Sequence, residues 1–489
     1  MLYEAYWDMT VYEMLEKMEK SFGEKPLFYF REGAETVIVS YSRFFDDCRR
    51  LAAYFAEAGL AGRRVVISGR NTYTQIAAFF AVMAMGAVAC PLNFDLPDEE
   101  LVYALQRLEP ACVVYDSQDA AVLETVAAGT GMRRICCTGL APAAGQTIES
   151  LLRTESRRYV FTGRQRPADP AVILMTSGST SQSKLVVLSH YGVLPHSQVE
   201  TQKSIFVLPI YHIAGLNILV NDMARGTPVC LSNLRDGTYD IRWYQPKDVF
   251  AVPMFVSMLV KQSRSGRMDL SCFQNISSGG APQDLEATAY LNSLGIFSMS
   301  LYGATETAGM VDYSTPAEYK FGSVGKPGPW NEIRVSPTGE VLVRGKNIML
   351  EYLGDPAATA AVLKDGWYHT GDLGRIDEDG FLFITGRIKN IIILPNGENV
   401  SPEAVEWRLA RCGAIEEAVV CGEDDMIAAH IWCGSSAGEQ EEAAVRAFIK
   451  QYNQSVPSYY AIRRIHFRTK PFLRTASNKI KRSVNTEQE

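Results

Sequence analysis

Thr176-Ser177-Gly178-Ser179-Thr180-Ser181-Gln182-Ser183-Lys184 separates two apolar runs, Ala171-Val172-Ile173-Leu174-Met175 and Leu185-Val186-Val187-Leu188. Each run reads as a buried strand. Between them lie hydroxyl side chains, one glycine and a terminal lysine, none of which packs a core. Hydroxyls and free backbone N–H groups are the donors a polyphosphate needs, and a lysine adds charge. A solvated hairpin turn is the plain alternative, because Ser/Thr-rich clusters are usually loops. The Walker loop, G-x-x-x-x-G-K-[ST], is excluded. Counting from Gly178 puts Ser183 at its second glycine and Leu185 at its magnesium-binding hydroxyl, and apolar β-branched residues follow where a helix is required.

At 489 residues the chain exceeds one ordinary core, so two or more domains are expected. Apolar residues make up 47% and charged residues 21%, which are globular values. A net charge of −7 leaves no basic footprint for nucleic acid. An anionic nucleotide would then have to be met by local positive groups. The opening Met1-Leu2-Tyr3-Glu4-Ala5-Tyr6-Trp7-Asp8 does not read as a signal peptide. No run reaches the roughly 20 apolar residues of a membrane span, and Ile76 to Pro91 reads as a buried helix feeding a strand. Of ten cysteines only Cys136 and Cys137 are close, and no C-x-x-C spacing suggests zinc or a redox pair. Reduced thiols and a cytoplasmic setting are expected, with no nucleic-acid partner, and a monomeric or homodimeric state.

Outward from the loop, strands alternate with helices. Leu27–Phe30 and Val37–Ser40 read as a hairpin, Tyr41–Ala58 as a helix, Arg64–Ser68 as a strand and Thr74–Met85 as a helix. Gly86–Leu92, Asp98–Leu108 and Ala111–Tyr115 continue as strand, helix and strand. This alternation predicts a doubly wound α/β region. Residues 138–168 form a polar connection. His212, on the apolar segment Leu208–Leu216, fits an ordinary core histidine as well as a site. Ser278-Gly279-Gly280-Ala281-Pro282 is a strand-to-helix turn in which paired glycines let a flat ring approach, with Pro282 at the predicted helix start. In Tyr302-Gly303-Ala304-Thr305-Glu306 a tyrosine can stack on a purine, a hydroxyl can contact phosphate and a carboxylate can hold Mg²⁺. Asp372, read as lying in the glycine-rich turn Thr370–Gly374, can accept from both ribose hydroxyls. The last hundred residues read as a unit of their own, with strands at Ile415–Val420 and Ala428–Cys433 and a helix at Glu439–Gln451. Their basic end, Arg474 to Arg482, suits a solvated tail on charge alone.

In order, these stretches resemble the motifs of the adenylate-forming superfamily, the acyl-activating AMP-dependent synthetases and ligases, over about residues 20–485. Thr176, Ser177, Gly178, Ser179, Thr180 and Lys184 match its phosphate loop, T-S-G-[ST]-T-G-x-P-K-G. Ser181, Ser183 and Leu185 depart from it. Tyr211-His212 with Gly215 resembles the mouth of the carboxylate pocket, Gly279–Pro282 the G-G-A-P adenine turn, and Tyr302–Glu306 the Y-G-x-T-E motif. Tyr368–Gly374 resembles W/Y-x-x-T-G-D. Gly386-Arg387 with Lys389 resembles the hinge. Arg474-Thr475 with Lys479-Ile480 fits R-T-x-x-G-K-[IV], Asn478 standing for glycine.

The resemblance implies an acyl-CoA synthetase-like α/β enzyme: a large region of doubly wound sheets over residues 1–387, and a small mobile α+β domain over 390–489, hinged near 388–389. A carboxylate attacks the α-phosphate of ATP, and a thiol then takes the acyl group. The thiol is that of coenzyme A or the phosphopantetheine of a carrier protein. On this pattern Lys479, Thr305 and Glu306 are catalytic, Glu306 also holding Mg²⁺. The phosphate-loop residues Thr176–Thr180 and Lys184 bind ATP, as do Gly280, Ala281, Pro282, Tyr302, Gly303, Asp372 and Arg387. His212, Gly279 and Ala304 border the acid, which the apolar surroundings make an aryl or fatty acid. A non-catalytic nucleotide-binding homologue is the reading that Ser181, Ser183, Leu185 and Asn478 favour.

Overall fold

The loop-flanking runs do pair, as the antiparallel strands Pro170–Met175 and Leu185–Ser189, with Ile173 opposite Val187 and Leu174 opposite Val186. The computed structural model describes residues 2–93, 95–115, 133–136, 147–176, 183–196, 201–232, 236–281, 284–310, 312–313, 315–395, 398–435, 437–474, 480 and 482. The hairpin belongs to a seven-stranded sheet. Its order is Glu351–Tyr352, Leu185–Ser189, Pro170–Met175, Val88–Leu92, Arg64–Ser68, Cys112–Tyr115 and Arg133–Cys136. From Pro170–Met175 onward its neighbours run parallel. The expected helices appear as Tyr41–Glu57, Tyr73–Ala84 and Asp98–Leu108. The connection over 138–168 carries a further helix, Ile148–Thr154, capped by the Thr147 side chain.

A second seven-stranded sheet has the order Ser300–Leu301, Asn275–Gly279, Asp248–Ala251, Ser204–Phe206, Val229–Leu231, Pro26–Glu32 and Glu35–Ser40. The early hairpin does not join the strands that follow it in the chain. It crosses to the second sheet, where Phe28 pairs with Val229 and Tyr29 with Cys230. Alternation of strands and helices along the chain carries no record of a pairing made some 200 residues away.

The helix Tyr73–Ala84 is buried along its whole length from Gln75 to Ala84. A helix apolar on every side has to be enclosed, and one core cluster joins this helix to apolar residues from both sheets. An antiparallel five-stranded sheet follows, containing Glu340–Arg344, Trp367–Ile376 and Leu382–Arg387. Last comes a three-stranded sheet of Glu417–Glu423, Met426–Trp432 and Ile462–Arg468, with its own core around Val420, Ile431, Val445 and Ile449. No described helix is long and apolar enough to cross a membrane.

His190 follows the Leu185–Ser189 strand, fully enclosed, and its Nδ1 accepts from the Val11 N–H at 3.2 Å. Burial pushes its imidazole down to about 4, and burial does the same for His196. Unfolding restores the ordinary value near 6.5, so the unfolded chain takes up protons first as pH falls. The stability these rings contribute is complete above pH 6.5 and is lost on the way down to pH 4. Each ring should cost about 2 kcal/mol by pH 5. Urea unfolding at pH 7 and pH 5 should show the loss, and His190→Gln should reduce it. A midpoint that does not move with pH would contradict this account.

Candidate active site

The carboxyl ends of the parallel strands gather the predicted residues, as open α/β sheets do with ligands. In the second sheet Gly279 pairs with Leu301, which sets Gly279-Gly280-Ala281 beside Tyr302-Gly303-Ala304. A Cβ on Gly279 would meet the Leu301 carbonyl at 2.9 Å and the Phe250 ring at 2.8 Å, so no larger residue fits there. Gly280 has φ +81, a left-handed angle that suits glycine. The following helix begins at Leu285 with Asp284 as its cap, later than the start expected at Pro282. Pro282 itself lies outside the described residues.

Tyr302 leads into a tight β-hairpin, Gly303–Ala304 against Gly309–Met310, with the 3-10 turn Thr305–Thr307 at its tip. The turn is fixed from outside. The Met349 N–H donates to the Glu306 carbonyl at 2.8 Å, and Asn347 Nδ2 to the Thr307 carbonyl at 2.8 Å. Glu306 therefore faces the first sheet, where the Tyr352 hydroxyl donates to its Oε1 at 2.7 Å.

Thr176 and Lys184 meet where the two strands of the loop hairpin end, the Thr176 N–H donating to the Lys184 carbonyl at 2.8 Å. Ser177, Gly178, Ser179 and Thr180 lie outside the described residues. The Lys184 ammonium sits 4.2 Å from the centre of the Tyr352 ring. Tyr352 reaches this place because Glu351–Tyr352 adds an edge strand to the loop hairpin, Tyr352 opposite Val186. The loop lysine and the glutamate thus meet on one tyrosine, Lys184 on its face and Glu306 at its hydroxyl. Burial together with the Glu306 charge pushes the phenols of Tyr352 and Tyr368 up.

Asp372 lies within the long strand Trp367–Ile376 and not in a turn, which corrects the sequence reading. Gly371 before it has φ +68, and the strand slips register between Leu373 and Gly374. That irregularity leaves the glycines inside a strand. Asp372 pairs directly with Arg387 on the neighbouring strand. Arg387 Nε donates to Asp372 Oδ1 at 2.7 Å and the Tyr302 hydroxyl to Oδ2 at 2.7 Å. Burial, reinforced by the Asp372 charge, holds the Tyr302 phenol well above its ordinary value. A carboxylate has about four acceptor positions, so both oxygens of Asp372 can still accept from a sugar.

His212 is the N-cap of the helix Ile213–Arg225, its ring 4.8 Å from that of Tyr211. Gly215 lets this helix lie against its own approach segment, because a Cβ there would meet the Pro209 carbonyl at 2.2 Å. Behind Gly279, Met299 and Leu301 pack with Ile218 and Phe250 as an apolar wall. Asp222 lines the cavity beside that wall. Its carboxylate is taken by the hydroxyls of Ser204, at 2.5 Å, and Thr201, at 2.9 Å, and burial pushes it up to about 6.

Lys389 lies in the 3-10 turn Ile388–Asn390, and Asn390 bonds Glu403 in the first turn of the helix Pro402–Leu409. Lys479 lies outside the described residues. Arg474 and Ile480 on either side of its segment form an antiparallel bridge. Arg474 pairs with Glu417, and Arg482 with Glu406. Sequence reasoning missed Tyr352. Its only signal was a position in Glu351-Tyr352-Leu353-Gly354, far along the chain from both partners.

The model of the AMP-binding enzyme family matches residues 15–353, and that of the AMP-binding enzyme C-terminal domain matches residues 389–488. An indoleacetate–CoA ligase of Aromatoleum aromaticum is 29% identical, the alignment covering 79% of this chain and 81% of that protein. The anthranilate CoA ligase AuaEII, solved with anthranoyl-AMP, superposes with a TM-score of 0.84 at 18% identity, covering 98% of this chain and 96% of the other. The o-succinylbenzoate CoA synthetase MenE of Bacillus subtilis, solved with ATP and magnesium ion, superposes with a TM-score of 0.79 at 23% identity, covering 97% and 99%.

Proposed function

Because the chain belongs to the AMP-binding enzyme family, we infer that this site joins a carboxylic acid to a thiol with ATP and Mg²⁺, releasing AMP and pyrophosphate. The acid first displaces pyrophosphate from the α-phosphate, giving an acyl-adenylate. The thiol then takes the acyl group and AMP leaves. The observation that carries this reading is the pair of convergences, Lys184 and Glu306 on Tyr352, and Tyr302 and Arg387 on Asp372. One end of the site offers a cation and a carboxylate suited to a metal. The other offers an acidic acceptor framed by a tyrosine and an arginine. That is the charge pattern of a nucleoside polyphosphate laid lengthwise.

An acid and a triphosphate are both anions, so the barrier is largely repulsion and alignment. Lys184 and the loop hydroxyls would cradle the departing pyrophosphate. Asp372 would hold the ribose, with Arg387 beside it reaching ribose or phosphate. Gly280 and Ala281 would border the adenine, and Tyr302 its other side. Lys479 would bridge the acid's carboxylate and the α-phosphate. The site suits Mg²⁺, which usually takes one or two carboxylates with phosphates and water. Glu306 would hold it, since accepting from Tyr352 leaves further lone pairs. When bound, Mg²⁺ supplies neutralising charge at the phosphates.

Coenzyme A is the proposed acceptor and an aryl or fatty acid the proposed substrate. The apolar wall of Ile218, Phe250, Met299 and Leu301 supports the latter. The Asp222 carboxylate beside it is already engaged by two hydroxyls, which disfavours an amino acid's ammonium. ATP–pyrophosphate exchange with a panel of carboxylic acids tests the reading, and acid-independent or absent exchange would refute it. Product mass with coenzyme A against a holo-carrier protein identifies the acceptor. Tyr302→Phe removes one hydrogen bond from Asp372 and should raise the KM for ATP about 2–10-fold, with the KM for the acid unchanged. Equal changes in both would separate Tyr302 from the sugar end.

A further inference from the structure

The small domain carries a cluster that this reaction does not use. In its sheet His430 and His466 are direct partners across parallel strands. Their rings stack with centroids 4.6 Å apart and planes 17° apart. Cys421 and Glu423 lie two residues apart on the strand paired to the other side of His430, so they share its face. The core residues Val420, Ile427, Ala429 and Ile431 occupy the opposite face. His430 Nε2 lies 2.6 Å from Glu423 Oε1 and His466 Nε2 lies 2.9 Å from Oε2. Cys421 Sγ is 3.5 Å from Oε1. One donor atom each from Cys421, Glu423 and His430 fall within 4.8 Å of one another.

We propose that Cys421, Glu423, His430 and His466 form a binding site for a zinc-class divalent ion. The donors are one sulfur, one oxygen and two imidazole nitrogens. Thiolate with imidazole selects Zn²⁺ and its neighbours, whereas Mg²⁺ requires oxygen ligands. Tetrahedral bonds of about 2.0–2.3 Å need donors roughly 3.3–3.8 Å apart. The two imidazole contacts to Glu423, 2.6 and 2.9 Å, have to open by under an ångström, and the widest spacing of the Cys421, Glu423 and His430 donors, up to 4.8 Å, has to close by about as much. Glu423 and His466 can open, their side chains being 24% and 30% exposed, and this exposed side is also the route of entry. On binding, the Cys421 thiol gives its proton to solvent, and each imidazole moves the proton it shares with Glu423 from Nε2 to Nδ1, freeing the Nε2 lone pair for the metal. His430 is 2% exposed, and its Nδ1 has no hydrogen-bond partner among the described residues. The donors come from three strands, which is why no C-x-x-C spacing announces them.

The test uses the full chain, stripped with EDTA and titrated with Co²⁺. A thiolate-to-cobalt charge-transfer band should saturate at one equivalent per chain, with the intense visible absorption of tetrahedral cobalt, and Zn²⁺ should abolish both. Cys421→Ser should lose the charge-transfer band. His466→Gln, at a side chain that is 30% exposed, should weaken binding at least about tenfold with the thermal unfolding of the metal-free chain unchanged. Absence of the band at one equivalent, its survival in Cys421→Ser, unchanged affinity in His466→Gln or displacement of Co²⁺ by Mg²⁺ would each overturn the assignment.

Discussion

Lys479→Ala should lower acid-dependent ATP–pyrophosphate exchange by ~10²–10³-fold, the usual cost of removing one electrostatic group aimed at developing charge. Transfer of the acyl group from a supplied acyl-adenylate to the thiol should persist near the unsubstituted rate. The division follows from charge. Only the first half-reaction forces a carboxylate against a phosphate, and only there is a bridging ammonium indispensable. In the second half a neutral thiol or its anion attacks an acyl carbon already activated by AMP. The anchors of the segment, Arg474 on Glu417 and Arg482 on Glu406, are untouched by the substitution. A loss can therefore be assigned to the ammonium once thermal unfolding shows the fold intact. Single-turnover measurement of each half decides the matter. Equal loss in both would remove Lys479 from its proposed role and with it the domain rotation about Lys389 that would present it.

The sequence was most legible where chemistry and periodicity are local. The helix expected at Asp98–Leu108 has those bounds, and the two loop-flanking runs form strands as expected. Apolar spacing fixes such elements within a dozen residues. Pairings between distant segments were not legible. The Leu27–Phe30 run reads as a strand, but nothing in it names Val229 as its neighbour. Asp372 looked like a turn residue because glycines flank it. The strand Trp367–Ile376 accommodates those glycines through a positive φ and a register slip, and the cross-strand pair with Arg387 results. Tyr352 shows the same limit in the site itself. Its function as a shared contact exists only because a two-residue edge strand docks on the loop hairpin. A hydrophobic-to-polar pattern cannot disclose that docking.

That shared contact separates two effects at the end of the site proposed to hold Mg²⁺. Glu306→Gln keeps the shape and leaves the amide oxygen able to accept from Tyr352, but it deletes the charge. Exchange should fall by ~10²–10³-fold, and the Mg²⁺ concentration for half-maximal rate should rise. Tyr352→Phe does the reverse: the carboxylate stays, and the bond that orients it, 2.7 Å long, is lost. One hydrogen bond to a carboxylate is a smaller quantity, so about 2–10-fold in rate is expected, with a modest rise in the Mg²⁺ requirement. The phenyl ring still offers Lys184 its face, so pyrophosphate affinity in the reverse reaction should hold in Tyr352→Phe. Titrating Mg²⁺ at fixed ATP for both variants distinguishes orientation from charge. If Glu306→Gln leaves the Mg²⁺ dependence unchanged while the rate falls, Glu306 serves the fold of the Thr305–Thr307 turn and the metal is held elsewhere.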